Sequence, residues 1–121
     1  MTNQFKHQLC QKYPEILDTL LAPSDIGKGW VGLVDDLCAV LSEDVKKTGL
    51  PCKANQVKEK LGKLRFYCLY PPQSDYRKAA IDSARLRSAQ TCDVCGSAGQ
   101  LVVTPGWLRT RCAEHHDVVV L

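Results

Sequence analysis

Apolar positions along this chain recur with two different periods. From Trp30 they fall at Leu33, Val34, Leu37, Cys38, Leu41 and Val45, one stripe at helical spacing. Asp35, Asp36, Glu43 and Asp44 lie off that stripe, on the face a helix would give to water. Lys46 and Lys47 suit the negative end of the helix dipole. Gly49 can end the helix in a left-handed conformation, and Pro51 forbids its continuation. Across residues 53–70 the period changes to two. Leu64, Phe66, Cys68 and Tyr70 alternate with Arg65, Tyr67 and Leu69, and Val57 and Glu59 alternate on a preceding arm. With Gly62 between the arms, this pattern predicts a β-hairpin, stopped by Pro71-Pro72.

The flanking segments are shorter. Residues 3–12 predict a first helix with Phe5, Leu9 and Cys10 on one face, and Pro14 suits the first turn of a short helix over Glu15 to Leu21. Residues 23–29 read as a loop with two glycines. Ser74 or Asp75 can cap a helix running to about Ala89. Its buried face is expected to be Tyr76, Ala80, Ile81, Ala84 and Ser88, small enough to lie close on the hairpin. Its outer face is expected to carry Arg77, Lys78, Arg85 and Arg87. Beyond residue 92 come two β-like pieces, Leu101 to Val103 and Trp107 to Arg111, joined at Pro105-Gly106. The fold class expected is α+β, with a helical and hairpin domain over residues 1–91 and a zinc-ribbon-like or treble-clef-like module over 92–121.

Composition narrows the function classes. The 121 residues are 45% hydrophobic and 24% charged, ordinary for a globular protein. No apolar run approaches the roughly 20 residues needed to span a bilayer. The segment Met1 to Lys6 lacks the apolar stretch of a signal peptide, which predicts a cytoplasmic protein. The net charge of +3 is unevenly spread. Residues 51–91 hold nine Lys and Arg against three acids, while the segments on either side are slightly acidic.

Seven cysteines, an odd number, argue against a disulfide framework and toward metal. Four residues have ligand spacing: Cys92-x2-Cys95, then Cys112-x2-His115. Two cysteines separated by two residues form a knuckle whose thiolates converge on one ion, and a hairpin can return the second pair beside them. Gly96 supplies the backbone freedom such a knuckle uses. Four ligands fill a tetrahedral shell, so the expected cofactor is one structural Zn2+ with no open position. The spacing favours His115 as fourth ligand, with His116 the alternative. His115-His116 also has a counterpart in ββα-metal nucleases. That site needs a following helix with a further ligand, and Asp117 to Leu121 is too short to supply it.

The other candidates have plainer readings. Cys10, Cys38, Cys52 and Cys68 lack metal spacing and read as small hydrophobes. Asp35 and Asp36 point about 100° apart on a helix and do not share an ion easily. Lys58, Lys60, Lys63, Arg65, Arg77, Lys78, Arg85 and Arg87 make a candidate contact surface for nucleic acid or a partner, near Phe66, Tyr67 and Tyr70. A charge run is more often a solvated face, and both readings stand. The apolar tail Asp117 to Leu121 reads as a strand closing the zinc module in preference to an edge that pairs with a partner.

Several of these stretches recur together elsewhere: Lys12-Tyr13-Pro14; Gly29-Trp30-x2-Leu33-Val34-Asp35-x-Leu37; the run Gln56 to Tyr67; and Thr91-Cys92-Asp93-Val94-Cys95-Gly96 with Trp107 and Thr110-Arg111-Cys112-x2-His115. Over nearly its whole length the chain resembles a family of small uncharacterised proteins of bacteriophages and prophages. Those share a central motif similar to VKEKFGxLRFY and a C-terminal zinc module. Leu61 stands where that pattern usually has Phe. The resemblance implies a mobile-element origin, bound zinc and a bacterial host cell, and brings no activity with it. The function expected is therefore a non-catalytic zinc-stabilised binding protein. Its expected partner is a host or defence protein that it inhibits. The alternative is a nucleic-acid-binding zinc module.

Overall fold

A computed structural model describes residues 3–17, 26–69, 74–104 and 106–116. The order is α1 (Asn3–Lys12), a 3-10 turn (Lys28–Trp30), α2 (Val31–Thr48), β1 (Ala54–Lys60), β2 (Lys63–Cys68), α3 (Asp75–Ser88), β3 (Gln100–Thr104) and β4 (Trp107–Arg111). The class is α+β, with two separate two-stranded antiparallel sheets.

Helix α2 buries the apolar stripe read from its spacing: Leu33, Val34, Leu37, Cys38 and Leu41. Gly49 ends it with φ 74°, its N–H donating to the Val45 carbonyl. Trp30 enters the same core completely, and its indole Nε1 donates to the Thr91 carbonyl oxygen at 2.8 Å. One side chain thus anchors the helical layer to the segment that leads into the candidate metal site.

The first hairpin turns through Leu61 (φ 53°) and Gly62 (φ 83°). Two consecutive left-handed residues give the turn whose twist matches the strands. Glu59 Oε2 accepts from the Gly62 N–H at 2.7 Å and pins the turn. Val57, Leu64 and Phe66 face the core. The two-residue turn sets Lys60 opposite Lys63 and Lys58 opposite Arg65, and the register slips only at the far end, between Ala54 and Gln56.

Two expectations about helices need correction. Pro14 to Ile16 form a turn, with the Ile16 and Leu17 N–H groups both donating to the Tyr13 carbonyl. Leu17 then bridges Ala54 in parallel, and Ala54 N–H donates to the Ile16 carbonyl. Backbone pairing with the hairpin therefore takes these residues away from a helix. The rest of the Glu15 to Leu21 helix lies outside the described residues, as do Tyr70 to Pro72, Pro105 and the tail from Asp117.

The second correction concerns the buried face of α3. Ser74 caps the helix as expected, accepting from the Arg77 N–H. Ala84 and Ser88 are buried and Ala80 and Ile81 partly so. Tyr76, however, is 59% exposed while Arg77 is 2% exposed. Arg77 reaches into the end of α2, where Nε lies 2.6 Å from Asp44 Oδ2. Its Nη1 and Nη2 donate to the carbonyls of Pro51 and Leu50. A guanidinium is well matched to a carboxylate and free carbonyls at a helix C-terminus.

Candidate metal centre

The chain leaves α3 through Thr91, and the knuckle closes at once. Cys92 N–H donates to the Ser97 carbonyl, Gly96 N–H donates to the Cys92 carbonyl at 2.9 Å, and Gly96 takes φ 83°. Strands β3 and β4 pair from Gln100 opposite Arg111 to Thr104 opposite Trp107. They return the chain so that Cys112 lies beside the knuckle. A turn follows in which His115 N–H donates to the Cys112 carbonyl.

The ligand atoms of Cys92, Cys95, Cys112 and His115 all lie within 4.8 Å of one another, a geometry compatible with a metal site. Cys95 and Cys112 Sγ are 3.7 Å apart, and His115 Nδ1 is 3.7 Å from Cys92 Sγ and 3.1 Å from Cys112 Sγ. Tetrahedral zinc with Zn–S of about 2.3 Å and Zn–N of about 2.0 Å would separate sulfurs by about 3.8 Å and sulfur from nitrogen by about 3.6 Å. The spacing fits. Of the two histidines, His115 lies in the cluster, while His116 lines an open cavity beside β3.

Burial differs among the ligands. Cys92 is buried, Cys95 exposed, and Cys112 and His115 intermediate. The Cys95 thiol is pulled down to about 6 by hydrogen bonds from the side chain and backbone of Ser97. Burial pushes Cys112 up. A divalent cation would act on both in one direction, holding the sulfurs as thiolates.

The surroundings of the cluster were not legible from spacing. Gly29 N–H donates to the Asp93 carbonyl at 3.0 Å. A Cβ on Gly29 would stand 2.1 Å from the Cys92 carbonyl oxygen, and one on Gly27 2.0 Å from that of Asp93. The two glycines of the loop before α2 therefore exist to let the knuckle backbone lie against it. Asp93 Oδ1 takes the buried Arg111 Nε at 2.5 Å, and Arg111 Nη1 reaches the His115 carbonyl. Arg109 lies between Glu59, at 2.6 Å, and Asp93, at 3.9 Å. Both guanidinium groups sit 5.3 Å from the Trp107 ring. The available signal was adjacency, since Asp93 and Arg111 each directly follow or precede a ligand cysteine.

The other cysteines are placed as read. Cys10, Cys38 and Cys52 are buried and Cys68 is half-buried. Cys52 and Cys68 Sγ approach to 3.9 Å, and no second ligand cluster of three or more occurs among the described residues.

The eight basic candidates do not form one surface. Arg77 is removed from it by burial against Asp44. Arg87 pairs with Asp36 at 2.7 Å on the exposed side of α2 and α3. Lys78 and Arg85 are exposed on α3. Lys58, Lys60, Lys63 and Arg65 remain on the hairpin. Asp35 accepts from Tyr13 Oη at 2.5 Å and from Lys12 Nζ at 3.1 Å.

Compared with protein-family models, curated proteins and solved structures, the chain matches none.

Proposed function

We propose that the chain is a non-catalytic binding protein whose C-terminal module is held in shape by one structural zinc ion. The observation that carries this reading is the Cys3His cluster, whose donor set and spacing suit Zn2+. Four protein ligands complete the shell and leave no position for a substrate or an activated water. The metal supplies folding free energy of the order of 10 kcal/mol to a module with a small core of its own. Its surroundings extend that order outward. Through Arg109 and Glu59 the module braces the first hairpin, and through Gly29 it braces the start of α2.

The phage and prophage resemblance supports a bacterial host protein, including a defence complex, as the target of inhibition. The test is affinity capture from bacterial lysate with zinc-loaded and metal-stripped protein in parallel. The reading expects a partner retained by the loaded form and lost with the metal. Repeated recovery of no partner by the loaded form contradicts it.

A further inference from the structure

The hairpin carries an electrostatic arrangement that folding alone does not account for. Residues of β1 and β2 that point away from the core are paired across the strands as Lys58 opposite Arg65 and Lys60 opposite Lys63. Like charges directly opposite on a sheet are destabilising. The one acid in the two strands, Glu59, gives no relief, because it is held by Arg109 and by the Gly62 N–H. Four cations thus share one side of a two-stranded ribbon, in two rows two residues apart, or about 6.8 Å.

Two exposed side chains accompany them. Tyr67 is 50% exposed and faces the same side, with the Arg65 guanidinium 4.4 Å from its ring centroid. Leu61 is 66% exposed at the tip, at a φ of 53° that glycine or asparagine takes with less strain. A strained, solvent-facing leucine between lysines contributes little to the core. Beside this face, between β2 and α3, lies a cavity of about 330 Å3 lined by Lys60, Arg65, Tyr67, Ile81, Asp82 and Arg85. It offers an aromatic ring, an apolar wall, a carboxylate to accept from an exocyclic amine, and cations around the rim.

We infer that the outward face of the first hairpin binds single-stranded nucleic acid. Lys58, Lys60, Lys63 and Arg65 contact the phosphates, Tyr67 stacks on a base, and the adjoining cavity takes an unstacked base. The chemistry favours this occupant over an acidic protein surface. Protein interfaces are depleted of lysine, which supplies three of the four cations here. Stacking platforms inside a cationic groove are characteristic of single-strand binders. A duplex would leave the base cavity unused. The inference goes beyond the reading of the chain as an inhibitor of a host protein and does not rest on it.

The test is fluorescence anisotropy of labelled oligo(dT) and oligo(U) with the full zinc-loaded chain. Duplex DNA and a poly-glutamate peptide serve as competing ligands. Four phosphate contacts at about −0.7 each give an expected slope of log K against log salt near −3. The double variant Lys58→Gln/Arg65→Gln should halve that slope. Tyr67→Ala should weaken binding about tenfold with little change in slope. Lys46→Gln/Lys47→Gln at the end of α2 should change neither. Circular dichroism and metal content establish that each variant is folded. Absence of binding at low salt overturns the proposal, as does tighter binding of the duplex. Equal binding of poly-glutamate with no effect of Tyr67→Ala overturns it in favour of an acidic protein partner. Failure here with one zinc still bound refutes the surface and leaves the metal reading intact.

Discussion

Thr110 Oγ1 donates a 2.6 Å hydrogen bond to the carbonyl oxygen of Gly62, and both partners are buried. The bond joins strand β4, just before the ligand Cys112, to the tip of the first hairpin. A residue in the metal module thereby fixes the turn that presents Lys60, Leu61 and Lys63. Thr110→Val keeps the side-chain shape and leaves that carbonyl without its donor. It should cost about 1–3 kcal/mol, measured by denaturant unfolding.

Gly29 is the contact through which the knuckle lies on the core. Because a Cβ there would stand 2.1 Å from the Cys92 carbonyl oxygen, Gly29→Ala must displace one backbone or the other. Overpacking of this kind costs about 1–3 kcal/mol, and here the displaced backbone bears a ligand. The expected result is a lower unfolding midpoint together with weaker metal retention in a chelator competition. Gly32→Ala, at a position with open space around it, is the control and should retain metal as the unmodified chain does.

Leu61 makes the opposite prediction. Its φ of 53° carries strain of about 1–2 kcal/mol for a side chain with a Cβ, and asparagine tolerates that region better. Leu61→Asn should therefore stabilise the fold by about 0.5–1 kcal/mol in a chemical denaturation experiment. A stabilising change at an exposed leucine would mark it as retained for contact and not for packing.

The acid limb of stability should carry a contribution from Glu15. Ser42 donates to its carboxylate, which holds the group below its ordinary value of 4.5. A folded-state value lowered relative to the unfolded chain stabilises the fold above the unfolded value. That contribution fades as pH falls through the folded one. Glu15→Gln should accordingly lower stability at neutral pH and flatten the decline below about pH 4.5, followed by unfolding midpoints across acid buffers.

Much of this architecture was legible because it is encoded locally. The α2 stripe, the Gly49 stop, the alternation at Leu64, Phe66 and Cys68, the Ser74 cap and the ligand spacing are all short-range patterns. The misplacements have a common cause in partners distant in sequence. Arg77 looks like one more cation on a basic helix, and only the approach of Asp44 and the carbonyls of Leu50 and Pro51 makes it a core residue. Pro14 to Leu17 could have continued as a helix had Ala54 not offered a strand bond. Spacing picked out the four residues that cluster but said nothing of Gly27, Gly29 or Asp93, whose roles exist only once two loops meet. That His115 and not His116 lies in the cluster depends on how the turn after Cys112 is wound.

We propose above that Cys92, Cys95, Cys112 and His115 hold one zinc ion that orders the end of the chain. The direct measurement is elemental analysis combined with native mass spectrometry on protein purified without chelator, alongside Cys112→Ser. The unmodified protein should carry one zinc per chain, and the variant should lose it together with the folded C-terminal module. A metal-free chain that is folded throughout, or full zinc retention by Cys112→Ser, would contradict it.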